Sequence, residues 1–128
     1  MLTMAMHIPP AKVMSEMVAP FAVRARLTGE DYQIRFSHLW SAIATRHSDT
    51  VDCKFLVNGR GLAVALPHPA FVEFRQRAGR SLLDPEAAQI AAACLREYLE
   101  ADNDSQVSIL TVTAGDVLRQ AARLGYLS

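Results

Sequence analysis

The sequence predicts an α+β fold: a mostly antiparallel sheet of about five strands, with helices packed mainly on one face. Three observations predict it. Two stretches in the N-terminal half alternate apolar and polar residues with period two and are joined by short turns. A long segment after Asp84-Pro85 carries an apolar stripe at helical spacing. A β-branched run, Val107 to Val112, follows it and leads into a last amphipathic segment.

The first hairpin is read from Phe21–Leu27 and Tyr32–Phe36. Phe21, Val23, Ala25 and Leu27 share a face with Tyr32, Ile34 and Phe36, while Arg24, Arg26 and Arg35 share the other. A two-residue turn at Gly29-Glu30 pairs Leu27 with Tyr32, Ala25 with Ile34 and Val23 with Phe36. The second hairpin is centred on Asn58-Gly59, the pair that most favours a type I′ turn because both central residues need positive φ. It pairs Phe55 with Leu62, Cys53 with Val64 and Val51 with Leu66. Lys54, Leu56, Ala63 and Ala65, with Asp52 near the end, form its mixed outer surface.

Ser37 suits an N-cap, so a helix is expected from there to about His47, with Leu39, Trp40, Ala42 and Ile43 inward. Pro69 to Ala78 reads as a helix stopped by Gly79, although its apolar residues alternate well enough for a strand and leave that alternative open. Asp84 caps and Pro85 leads the next, which buries Ala87, Ile90, Ala91, Cys94, Leu95, Tyr98 and Leu99 before ending near Ala101. Thr113 with Asp116 three residues on forms a capping box for a final helix to Leu124, stopped by Gly125. The expected order is ββ-α-ββ-α-α-β-α.

Residues 1–19 form a Met-rich arm or short helix (Pro10 to Val18), and residues 20–128 a single α+β domain. The length suits one domain. No run approaches the roughly 18 apolar residues of a membrane span, and the N-terminus lacks the basic start of a signal peptide. The expectation is a soluble, cytoplasmic protein with no membrane partner. Cys53 and Cys94 stand in no ligand spacing, which argues against a disulfide framework or a zinc site.

Thirteen basic residues balance thirteen acidic ones, which weighs against nucleic-acid binding. The predicted register puts Arg24 opposite Arg35, with Arg26 one step along. Like charges directly across a sheet repel, so Arg24, Arg26 and Arg35 are the candidate residues for binding an anionic ligand or acidic partner. Arg75, Arg77 and Arg80 fall at a helix end, where the dipole favours cations, and Arg119 and Arg123 line a solvated helix face. His47, Asp49, Asp52 and Cys53 are dense in potential ligands but diverge along a strand, so no metal and no cofactor is expected. His68, between Pro67 and Pro69, and His38 are the candidate general bases. Glycine-rich nucleotide loops, nucleophile elbows and metalloprotease motifs do not occur. The leading functional expectation is a non-catalytic binding or protein-interaction module that forms homo-oligomers through sheet edges and the Met-rich arm. The alternative is a small-molecule enzyme using His68 or His38. Nucleic-acid or anion binding through Arg24, Arg26 and Arg35 is the third.

Overall fold

A computed structural model describes residues 17–41 and 50–128. The element order is β1 (Phe21–Arg24), β2 (Asp31–Ser41), β3 (Thr50–Val57), β4 (Arg60–Pro67), α1 (His68–Ala78), α2 (Asp84–Glu100), β5 (Ile109–Thr111) and α3 (Ala114–Arg123). The strands lie in the order β1-β2-β3-β4-β5. Every neighbouring pair is antiparallel except β4 with β5, which the α1–α2 crossover makes parallel. The result is the expected α+β class, with a five-stranded open sheet.

The β3–β4 hairpin follows its turn chemistry. Asn58 and Gly59 take φ of 51° and 83°, as a type I′ turn demands. Phe55 then meets Leu62, Cys53 meets Val64 and Val51 meets Leu66. These side chains face inward, and Phe55 packs edge-on against Phe36 with ring centroids 5.4 Å apart. Phe74 of α1, Ile90, Leu95 and Leu99 of α2 and Val117 of α3 close the same core. All three helices therefore cover one face of the sheet, and no described helix lies over the other.

The first hairpin departs from expectation. Val23 pairs with Tyr32 and Phe21 with Ile34, so Arg24 stands opposite Asp31 rather than Arg35. The pairing has slid by an even number of positions, which keeps the same residues inward. Beyond Arg24 the Ala25 N–H still reaches the Glu30 carbonyl across the hairpin, but from Arg26 onward the backbone bonds to the C-terminal end of α2 and the loop that follows it. The Arg26 N–H donates to the Glu100 carbonyl, and the Leu27 and Thr28 N–H groups donate to the Asp102 carboxylate. Leu27 is consequently 89% exposed, not part of the core.

The helix expected from Ser37 is also corrected: Ser37–Ser41 continue β2, with His38 opposite Lys54 and Leu39 opposite Cys53. A bulge between Phe36 and His38 inserts one extra residue. It turns the inward pair into Phe36 and Leu39, three apart, which is a helical spacing in sequence. The rest of that expected helix, residues 42–47, lies outside the described residues, as does most of Pro10–Val18. Val18 itself is buried in the core.

The later elements agree closely. α1 stops at Gly79, whose φ is 76° and whose N–H donates to the Arg75 carbonyl. α2 has Leu83, not Asp84, at its N-cap, because Glu86 reaches back to accept the Leu83 N–H. Asp84 sits in the first turn, where its charge suits the helix dipole. The Thr113–Asp116 capping box closes in both directions, at 3.0 and 3.1 Å. The strand expected over 107–112 is shorter, Ile109–Thr111.

Phe55 is fully buried between sheet and helices. Phe55→Ala is expected to lower unfolding stability by about 3–5 kcal/mol through lost burial and a residual cavity; urea denaturation measures it.

Candidate functional site

The shifted register separates the three arginines singled out from sequence. Arg24 lies against Asp31, with Nε 2.9 Å from Oδ1. Arg26, on the β1–β2 loop, approaches Glu100 at 3.4 Å. Arg35 stays on the outer face of β2, exposed, with Leu56 as its cross-strand neighbour. The like-charge clash that the expected register implied is therefore absent. Among the described residues, Arg35 forms no ion pair.

Most of the other described arginines have structural partners, although Arg75 makes no ion pair among the described residues. Arg80 grips Glu86 through two hydrogen bonds of 2.9 Å and lies over the Phe74 ring. The Arg80 guanidinium holds the Glu86 carboxyl below the usual range. Arg77 reaches Glu73 one helical turn back. Arg119 and Arg123 converge on Glu97, and Arg119 also reaches Asp116.

A cavity of about 600 Å³ opens between the C-terminal ends of α2 and α3 and the β1–β2 loop, lined by Arg26, Arg96, Glu97, Glu100, Gln120 and Arg123. Its charges answer one another. Arg26 meets Glu100 and Arg123 meets Glu97, while Arg96 lies over the Phe21 ring and donates to the Ala22 carbonyl. Two helix C-termini end here, so arginines also suit the local dipoles. The cavity is a charge-matched seam joining β1, α2 and α3.

Asp102 is the member of this seam that sequence reasoning missed. Its φ of 65° is the left-handed conformation, tolerated by aspartate more readily than by most residues. That conformation turns its carboxylate onto the Leu27 and Thr28 N–H groups and the Thr28 hydroxyl. These hydrogen bonds hold its carboxyl below the usual range. The signal available in sequence was the polar run Asp102-Asn103-Asp104, which reads simply as a loop.

The groups that could carry chemistry are dispersed. His38 lies in β2, not in a helix, with its Nδ1 2.9 Å from the Ser37 hydroxyl. His68 is exposed at the start of α1, and neither histidine lines the large cavity. Cys53 and Cys94 are buried thiols. Burial pushes Cys94 up to about 12, and burial with Asp52 nearby pushes Cys53 higher still. Among the described residues no three histidines, cysteines or carboxylates gather as a metal site. No described helix is long and apolar enough to cross a membrane.

What remains is the outer face of the sheet. Across its middle run Arg35 on β2, Leu56 on β3 and Gly61 on β4, a continuous cross-strand row. The next row is His38, Lys54, Ala63 and Ile109. Lys54 does not project straight out. Its Cε lies 2.9 Å, and its Nζ 3.4 Å, from where a Cβ on Gly61 would sit. The ammonium thus lies over Gly61, and Leu56 is flanked by a cation on either side. Ile109 is 60% exposed at the edge of this face. Ala65 is sheltered yet stands apart from the core cluster.

The chain matches no protein-family model, and comparison with curated proteins and with solved structures finds no significant similarity.

Three outcomes follow from the seam and the thiols. Glu97, Asp102 and Asp116 all have carboxyls held below their ordinary range by arginine or backbone donors. Their stabilisation is present above the unfolded carboxylate range and is lost as pH falls through the lower folded values. The melting temperature should therefore hold steady down to about pH 5 and drop below about pH 4, and Asp102→Asn should lower it at neutral pH and flatten the acid fall. Both are read by circular dichroism melts. The native protein should also resist thiol-reactive dye at both cysteines until denaturant exposes them.

Proposed function

We propose that this protein is a non-catalytic protein-interaction module that docks partners on the face of its sheet that no described helix covers. The observation that carries the reading is the Arg35–Leu56–Lys54 row: a partly buried leucine set between two cations that have no ion-pair partner among the described residues. Apolar area bordered by charge, on a rigid sheet, supplies burial with orientation. The dispersed histidines and the buried thiols support a binding rather than a catalytic role.

If this face is a docking surface, it tolerates charge in the free protein. Ala63→Arg is expected to leave the melting temperature close to wild type, because its side chain would point away from the core. A loss of cooperative unfolding would mean that the face is covered by the protein itself and would overturn the reading.

Self-association is a second reading, favoured by Ile109. β5 is a three-residue strand at the open edge of the sheet, and an exposed isoleucine there invites pairing with another copy. At the opposite edge, Arg96 already occupies the Ala22 carbonyl. Sedimentation velocity should show a weight-average mass that rises with concentration and that Ile109→Lys reduces to the monomer. A wild-type monomer throughout would exclude this assembly.

A further inference from the structure

The geometry points to an acidic peptide segment as the partner of the outer sheet face, one that places an apolar side chain between two carboxylates. This rests on the docking face proposed above and names the chemistry of its occupant. The Arg35 guanidinium and the Lys54 ammonium flank Leu56 in a single row, one from β2 and one lying over β4. Strands are about 4.8 Å apart, so the two cations bracket a span of roughly two strand spacings. Alternate residues of an extended segment share one face, about 6.7 Å apart. A Glu-Ser-Leu-Ser-Glu segment, or its aspartate equivalent, laid across the row can therefore set its leucine on Leu56 and a carboxylate on each cation.

Gly61 is the residue that makes the arrangement possible. It has no Cβ, so the Lys54 stem lies flat across β4 instead of standing into solvent. Among the described residues the nearby anions make no ion pair with the row: Asp31 is engaged by Arg24, and Asp52 accepts the Thr50 hydroxyl at 2.8 Å. A second copy docked face to face is a poorer occupant. A two-fold axis through the middle of the face would bring Lys54 onto its own symmetry mate. Nucleic acid is also a poorer fit, because the row holds two cations separated by an aliphatic side chain on a chain with no net charge, not a basic track.

The test is fluorescence anisotropy of the full chain with three labelled probes: a Ser/Gly-flanked Glu-Ser-Leu-Ser-Glu peptide, its Lys-Ser-Leu-Ser-Lys counterpart, and a single-stranded oligonucleotide. The acidic peptide should bind saturably and more weakly as salt rises, and the lysine peptide should not bind. The Arg35→Glu/Lys54→Glu double variant should weaken the acidic peptide by about tenfold or more and favour the lysine peptide. Gly61→Ala, which alters chiefly where the Lys54 side chain lies, should weaken acidic binding by a smaller factor. Arg24→Gln should leave it unchanged, because Arg24 is already engaged by Asp31. Tighter binding of the oligonucleotide, no binding of the acidic peptide, or binding that survives the double charge reversal would overturn the proposal. If the lysine peptide binds the wild type as well as the acidic one does and Leu56→Ser abolishes both, the docking face stands and the acidic preference falls. If the acidic peptide fails to bind and Ala63→Arg unfolds the chain, the docking face falls too.

Discussion

The type I′ turn at Asn58-Gly59 is the constraint on which the other elements depend. A two-residue loop leaves no freedom in register, so the inward face of β3 is matched side chain by side chain to the inward face of β4. That match creates an apolar surface broad enough to receive three helices. Once Phe55, Cys53, Leu62 and Val64 face inward, Lys54, Leu56, Ala63 and Ala65 must face outward. The core and the candidate docking face are thus two consequences of one turn.

Around this hairpin the remaining strands are fitted by adjustment. β2 needs a bulge at Phe36/His38 to keep Leu39 against the core while it follows β3 to its end. β1 stays short because its continuation is drawn onto α2 by Glu100 and Asp102. The seam of carboxylates and arginines there fixes how β1, α2 and α3 meet. It pairs Arg26, Arg119 and Arg123 with carboxylates, whereas Arg35 and Lys54, on the outer face of the sheet, have no ion-pair partners among the described residues.

Local signals proved reliable where the physics is local. The Asn-Gly turn, the Thr113–Asp116 capping box, the glycine stop at Gly79 and the buried stripe of α2 each depend on residues within a few positions of one another. The two departures have the opposite character. The bulge in β2 mimics a helical spacing, and only pairing with β3 distinguishes the two. Maximising apolar pairs predicts a first-hairpin register that takes no account of a competing acceptor at Asp102, 75 residues from Leu27.

By itself, the sequence determined the α+β class, the inward set of the hairpin strands except at the bulge and at Leu27, and the helices α2 and α3, because alternation, caps and turns act over short stretches. α1 was legible as a helix or a strand, and its packing decided between them. Tertiary structure decided the rest: which residue stands opposite Arg24, how far β2 extends, and where the Lys54 ammonium comes to lie. Each is settled by a partner on another strand or helix. Arg24, Arg26 and Arg35 look equivalent along the chain, yet in the fold two meet carboxylates and the third stands exposed beside the partly buried Leu56. Charge is written residue by residue, but whether it is neutralised depends on what the fold brings within a few ångströms of it.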